Sequence, residues 1–129
     1  MKKIIALLVV LVAVLFLLFK VGVDSVIQSI PSDALVVFTK TGCPHCHHAM
    51  AFIDTTVRRD YPDLKIEILN VDKEENLNKL KALIHRHHIN PKRAGTPMIL
   101  INGQVLIGWD ERRGQELLTL IRSFSANRS

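Results

Sequence analysis

Two hydropathy regimes divide the chain. Residues 4–19 are apolar without interruption, with Lys2 and Lys3 before them and Lys20 after. As a helix this run would be about 24 Å long at about 1.5 Å per residue, a little short of a hydrocarbon core of about 30 Å. Val21, Gly22 and Val23, with Lys20 reaching up to the interface, complete a span over residues 4–23. The run has no polar face, which excludes a helix half-buried in a soluble core. An uncleaved anchor and a cleaved signal peptide both fit a basic start and a short apolar stretch. Val23-Asp24-Ser25 is a poor cleavage site, and the anchor is the expected reading. With Lys2 and Lys3 kept in the cytoplasm, the rest faces outward, into the periplasm if the cell is bacterial.

Beyond residue 23 the pattern changes to short alternating segments. Residues 24–33 read as a tether closed by Pro31-Ser32-Asp33. Residues 34–39 are a continuous apolar strand, as expected of one covered on both faces. Cys46, Ala49, Met50, Ile53 and Val57 then recur at helical spacing, and that helix should stop before Tyr61-Pro62. Residues 65–70 form a second strand, and Asp72-Lys73-Glu74-Glu75 resembles a capping box. Leu77, Leu80, Leu83, Ile84 and His87 trace a second amphipathic helix. Residues 97–101 and 104–109 flank Asn102-Gly103, a strong hairpin signal. Asp110 can cap a last helix whose face is Leu117, Leu120, Ile121 and Phe124. The tail 125–129 is polar and should fray. The order β-α-β-α-β-β-α over 34–124 predicts an α/β domain, with a right-handed parallel crossover and an antiparallel closing hairpin.

Composition adds limits. The roughly 100 residues after the apolar run suffice for one modest core. The formal net charge of +5 is partly Lys2, Lys3 and Lys20. No basic stripe is interleaved with aromatic residues, which argues against nucleic acid. A basic face near an anionic membrane is the simpler use of that charge.

The chain has two cysteines, three positions apart. A disulfide-stapled exported domain would carry more, with longer loops between them. Cys43-Pro44-His45-Cys46 follows a strand and opens a helix, with Pro44 suited to the first helical turn. Cys43 then sits where unpaired N–H groups and the helix dipole favour an anion, here the reactive thiolate. Cys46, one turn on and within the apolar stripe, is less accessible. Cys43 should attack and Cys46 resolve. His45, carrying a proton, would favour the thiolate further and make the disulfide a stronger oxidant.

Gly95-Thr96-Pro97 falls between the second helix and the third strand. A cis Thr96–Pro97 bond would end a loop beside the cysteines and offer the Thr96 backbone to an extended substrate segment.

These motifs resemble the glutaredoxins over residues 34–124. The matching stretches are Phe38-Thr39-Lys40-Thr41-Gly42-Cys43-Pro44-His45-Cys46, Thr96-Pro97-Met98-Ile99-Leu100-Ile101-Asn102-Gly103 and Ile107-Gly108-Trp109-Asp110-Glu111. The resemblance implies a thioredoxin-like, glutaredoxin-type three-layer fold with a four-stranded mixed sheet. It also implies thiol–disulfide oxidoreductase activity, with no tightly bound cofactor and with glutathione as a co-substrate. Carried over, Lys40 would meet a glutathione carboxylate, Thr96 would pair with its cysteine backbone, and Asp110 and Glu111 would receive its γ-glutamyl end. Two features depart from the family. Pro-His replaces the usual Pro-Tyr and is similar to the dipeptide of Dsb-type periplasmic oxidases, as is Gly-Thr-Pro. Val37 stands near where thioredoxins carry a buried acid, as is usual in glutaredoxins.

Two other readings compete. Cys43, Cys46 and the histidines His45, His47 and His48 carry donors for copper or zinc, which would make a membrane-held metal-delivery module. His85 and His88, at i, i+3, are also able to chelate. A thioredoxin-fold adaptor that only binds at Thr96-Pro97 is the other. The expected function remains disulfide exchange with protein or small-thiol partners, recycled by a separate protein or thiol.

Overall fold

The computed structural model describes residues 1–128, with backbone alone for 21–28. Helix α1 (Lys2–Gln28) precedes β1 (Leu35–Thr39), α2 (Pro44–Phe52), a π-helical turn (Ile53–Val57), α3 (Arg58–Asp60) and β2 (Ile66–Asn70). Helix α4 (Glu74–Arg86), β3 (Met98–Ile101), β4 (Gln104–Ile107) and α5 (Glu111–Ala126) complete the chain. The sheet order is β2-β1-β3-β4, with β1 parallel to β2 and antiparallel to β3, and β3 antiparallel to β4. This is the expected crossover and hairpin. Asn102 and Gly103 both take positive φ at the turn, 48° and 72°, the geometry that matches strand twist in a two-residue loop.

Alternation along β1 builds two cores. Leu35 and Val37 face Ile53, Val57, Leu117, Ile121 and Phe124 of the α2–α5 layer. Val36 and Phe38 face Leu80 and Leu83 of α4, with Met98. All five residues of β1 are buried, which is why the strand reads as an unbroken apolar run. Each such side chain contributes about 1.5–3 kcal/mol by leaving water. The result is a three-layer, thioredoxin-like mixed sheet.

Away from the site, the structure departs from the sequence reading in four places. Helix α1 continues to Gln28, past the expected boundary at residue 23. Ile30, inside the expected tether, is buried in the α4-side core. The helix after the cysteines contains a π turn, with the Arg58 N–H reaching back to the Ile53 carbonyl. Ile53 and Val57, at the two ends of that turn, are both fully buried. At the far end, α5 runs through Ala126 instead of fraying from Ser125. Arg128 then donates to the Asp33 carbonyl at 3.1 Å and lies 5.2 Å over the Phe124 ring. Ser129 lies outside the described residues.

The stretch Lys2–Lys20 is long and apolar enough to cross a membrane, and none of it is buried against the domain. Its large apolar side chains are exposed throughout. Such a helix serves as a membrane anchor or as a signal sequence.

Candidate active site

The end of β1, the first turn of α2 and the start of β3 meet at one pole of the sheet. Gly42, at φ +71°, turns the chain from strand to helix with no Cβ penalty. Cys43 is the N-cap of α2, and its Sγ accepts the Cys46 N–H at 3.2 Å. Pro44 occupies the first turn, where its missing donor costs nothing. Cys43 and Cys46 are disulfide-bonded, with Cα atoms 5.2 Å apart. Cys43 is partly exposed, whereas Cys46 is 3% exposed. An incoming sulfur therefore reaches Cys43 and not Cys46.

The Thr96–Pro97 bond is cis. The Thr96 hydroxyl donates toward Cys43 Sγ at 3.6 Å. The Thr96 carbonyl oxygen lies at 3.6 Å from the same sulfur. In the disulfide this second approach is a contact only, because Sγ has no proton. In the reduced form the thiol can donate to that carbonyl. Met98, next to Pro97, pairs with Phe38 of β1, so the sheet register itself holds Thr96 against the cysteine.

His45, Asp110 and Glu111 line one shallow groove beside the disulfide, together with His48, Phe52 and Trp109. Its volume is about 370 Å³. Asp110 is also the N-cap of α5, one carboxylate oxygen accepting the Arg113 N–H at 2.8 Å. Glu111 stands in the first turn of that helix, and the dipole stabilises both acids there. Phe52 and Trp109 stack at 5.3 Å, tilted by 55°. Gly114 makes room beneath them: a Cβ there would lie 3.3 Å from the Phe52 ring. Lys40 is exposed at the end of β1, apart from that groove.

Three residues around the loop were missed from sequence. The Asp72 carboxylate accepts the Thr41 N–H at 3.0 Å, and Asn70 Nδ2 donates to Thr41 Oγ1 at 3.1 Å. Asp72 is therefore not the helix cap: Lys73 is, with no side-chain cap bond. The reason is local. The Asp72 N–H bonds to Asn70 Oδ1 at 2.8 Å, a turn that aims the carboxylate back at the β1–α2 loop. The Thr41 hydrogen bonds, with help from Lys40 and Asn70, hold the Asp72 carboxyl below the usual aspartate range.

Of the six histidines, His45, His47, His48, His85 and His88 are exposed, and His87 is partly buried at the core edge. Among the described residues, no group of three or more His, Cys, Asp or Glu side chains is placed to hold a metal.

A helix-capping cysteine, a buried second cysteine and a facing cis proline on this sheet define a thioredoxin-like thiol–disulfide oxidoreductase. The glutaredoxin family model matches residues 35–106, more than half of the chain, and the protein belongs to the glutaredoxin family. Solved structures carry the same fold. Buckwheat glutaredoxin, in its glutathione complex, is 20% identical with a TM-score of 0.56, covering 83% of this chain and 93% of its own. The holo form of glutaredoxin C1 from Populus tremula x tremuloides is 22% identical with a TM-score of 0.56, covering 81% and 93%. Oxidised glutaredoxin 2 from Chlamydomonas reinhardtii is 19% identical with a TM-score of 0.55, covering 83% and 96%. Among curated proteins none matches this chain.

Proposed function

We propose that this protein is a membrane-anchored thiol–disulfide oxidoreductase that exchanges disulfides with protein or small-thiol partners through Cys43 and Cys46. The observation that carries the reading is the position of Cys43: partly exposed, capping α2, with its sulfur 3.2 Å from the Cys46 N–H. That amide and the helix dipole favour the sulfur as an anion. The Cys43 thiolate attacks one sulfur of a substrate disulfide and the other leaves as a thiolate. The Cys46 thiolate then attacks Cys43 Sγ, forms the intramolecular disulfide and releases the second substrate thiol. Two electrons pass to the substrate, and the reverse sequence oxidises a substrate dithiol.

Thr96 offers its backbone to an extended peptide or to the cysteine of glutathione. Asp110 and Glu111, on the His45 groove, are suited to an ammonium group such as that of a γ-glutamyl end, and Lys40 to a carboxylate. That buckwheat glutaredoxin, of the same fold, is solved with glutathione supports glutathione as a partner. A separate thiol or protein restores the starting redox state. Anchoring rests on the exposed apolar helix Lys2–Lys20, with the redox domain on the outer side by the position of Lys2 and Lys3.

The test is a trapping experiment in membranes. With Cys46→Ser, the full chain should accumulate mixed disulfides on Cys43 that reductant dissolves, and it should stay in the membrane after alkaline extraction. No mixed disulfide would overturn the exchange reading. Release by alkali would overturn the anchor.

A further inference from the structure

The longest stretch of the domain without an acidic residue runs from α4 through β4. Between Glu75 and Asp110 there is no acidic residue, while Lys79, Lys81, Arg86, Lys92 and Arg93 all fall there. Lys79 is paired with Glu75 at 2.8 Å. Lys81, Arg86, Lys92 and Arg93 are exposed, and among the described residues none of them has an ion-pair partner. The surface between them is not purely polar. Lys81, Ile84, His85 and His88, at helical spacing, line a concavity of about 580 Å³ that Ile89 and Pro91 complete. Half-buried Ile84 and Ile89 beside Lys81, with Lys92 and Arg93 following Pro91 in the chain, suit a surface that is anionic outside and apolar beneath.

The chain path brings this patch to one such surface. Ile30 packs in the same core as Leu83 and lines the same cavity as Arg86 and His87. Helix α1 lies next to α4 and ends at Gln28. From Lys20, where the apolar span closes, to Gln28 the helix rises about 12 Å. The patch is thus held beside the bilayer by its own chain, and weak attraction suffices once binding is intramolecular. No acidic protein has that advantage.

We infer that the basic C-terminal half of α4 and the α4–β3 loop dock on anionic lipid headgroups beside the anchor, with Lys81 and Arg86 reaching down from the two flanks of the helix and Lys92 and Arg93 from the loop. This rests on the anchor reading above. Docking turns the α4 layer to the membrane and leaves α2, on the other face of the sheet, toward solvent. Cys43, beyond the far end of β1 from Ile30, stays open to partners.

The experiment uses the full chain in lipid nanodiscs, with a gadolinium chelate on a headgroup lipid broadening nearby amide signals. In discs of phosphatidylcholine with phosphatidylglycerol, amides of residues 81–93 should broaden more than those of α5. The contrast should vanish in phosphatidylcholine alone and in high salt. Lys81→Gln, Arg86→Gln, Lys92→Gln and Arg93→Gln should each lower the docked-to-undocked ratio by about fivefold. Broadening independent of lipid charge, with the chain retained in the discs, overturns docking and leaves the patch to an acidic protein. A chain not retained in the discs overturns the anchor reading, and docking with it.

Discussion

Cys43 Sγ and the Thr96 carbonyl oxygen lie 3.6 Å apart although 53 residues separate them in the chain. The Thr96 hydroxyl approaches the same sulfur at the same distance. A threonine at this position therefore offers the sulfur a donor, and its backbone stands where a substrate chain would align.

Thr96→Val keeps the shape and removes the hydroxyl. Sulfur is a weak acceptor and the bond is long, so the effect should sit at the low end of a charge-assisted hydrogen bond. Alkylation of reduced Cys43 by iodoacetamide at neutral pH should slow by roughly threefold to tenfold. An unchanged rate would remove the hydroxyl from the account.

His45 distinguishes this pair from the Pro-Tyr dipeptide usual in the family. His45→Tyr should make the disulfide less oxidising, by about 30 mV for each tenfold change in the exchange constant with a reference thiol. Equilibration against a glutathione redox buffer measures it, and an unchanged potential would count against His45.

Asp72 gives a pH signature. Its carboxyl is held below the ordinary aspartate range, first by the Thr41 hydrogen bonds. A depressed acid contributes stability that is complete above the unfolded value and lost as pH falls through the folded one. The Thr41 amide signal should therefore titrate with a midpoint below that of aspartate in an unstructured peptide. Asp72→Ala should abolish that titration and speed exchange of the Thr41 amide, without unfolding the domain.

Gly114→Ala sets helix propensity against space. Alanine gains up to about 1 kcal/mol in a helix, but its Cβ would meet Phe52 ring atoms at 3.3 Å. Overpacking costs typically about 1–3 kcal/mol. The balance should be a net loss on the order of 1 kcal/mol, read by urea denaturation. Trp109 is the sole tryptophan, so a shift in its emission would report displacement of the Phe52–Trp109 pair.

Leu117 and Leu120 share the apolar stripe of α5 in sequence, but only Leu117 is fully buried, at 0% exposure. Leu117→Ala should cost about 2–5 kcal/mol, a large part of a total stability on the order of 5–15 kcal/mol. Leu120→Ala should cost clearly less. Equal losses in chemical denaturation would contradict the packing described.

Much of this was legible from the chain because local and tertiary signals agree. The unbroken run at 34–39 reads as a strand covered on both faces, and Asn102-Gly103 as its hairpin partner's turn. Cys43-Pro44-His45-Cys46 was legible because a capping cysteine followed by proline has few other uses. Ile30 was not legible, since one apolar residue among polar neighbours carries no period. Asp72 was misread for a physical reason: an acid just before a helix satisfies the capping pattern whether it bonds forward to its own helix or across to Thr41. The groove formed by His45, Phe52, Trp109 and Asp110 joins α2 to α5; the resemblance pointed to Asp110, but the Phe52–Trp109 contact and the packing of Gly114 against Phe52 left no local signal in the chain.

The π turn at Ile53–Val57 holds one residue more than a regular α turn, with the Arg58 N–H reaching back five positions to Ile53. It is therefore the one place in the cysteine helix where the chain can be shortened without loss of phase. Excising the exposed Thr55 would close the wide turn to regular α geometry and leave Val57 on the same side as Cys46 and Ala49. The same excision at His47 or His48, in the regular part of the helix, would swing everything after it by about 100° and carry Ile53 and Val57 out of the interior.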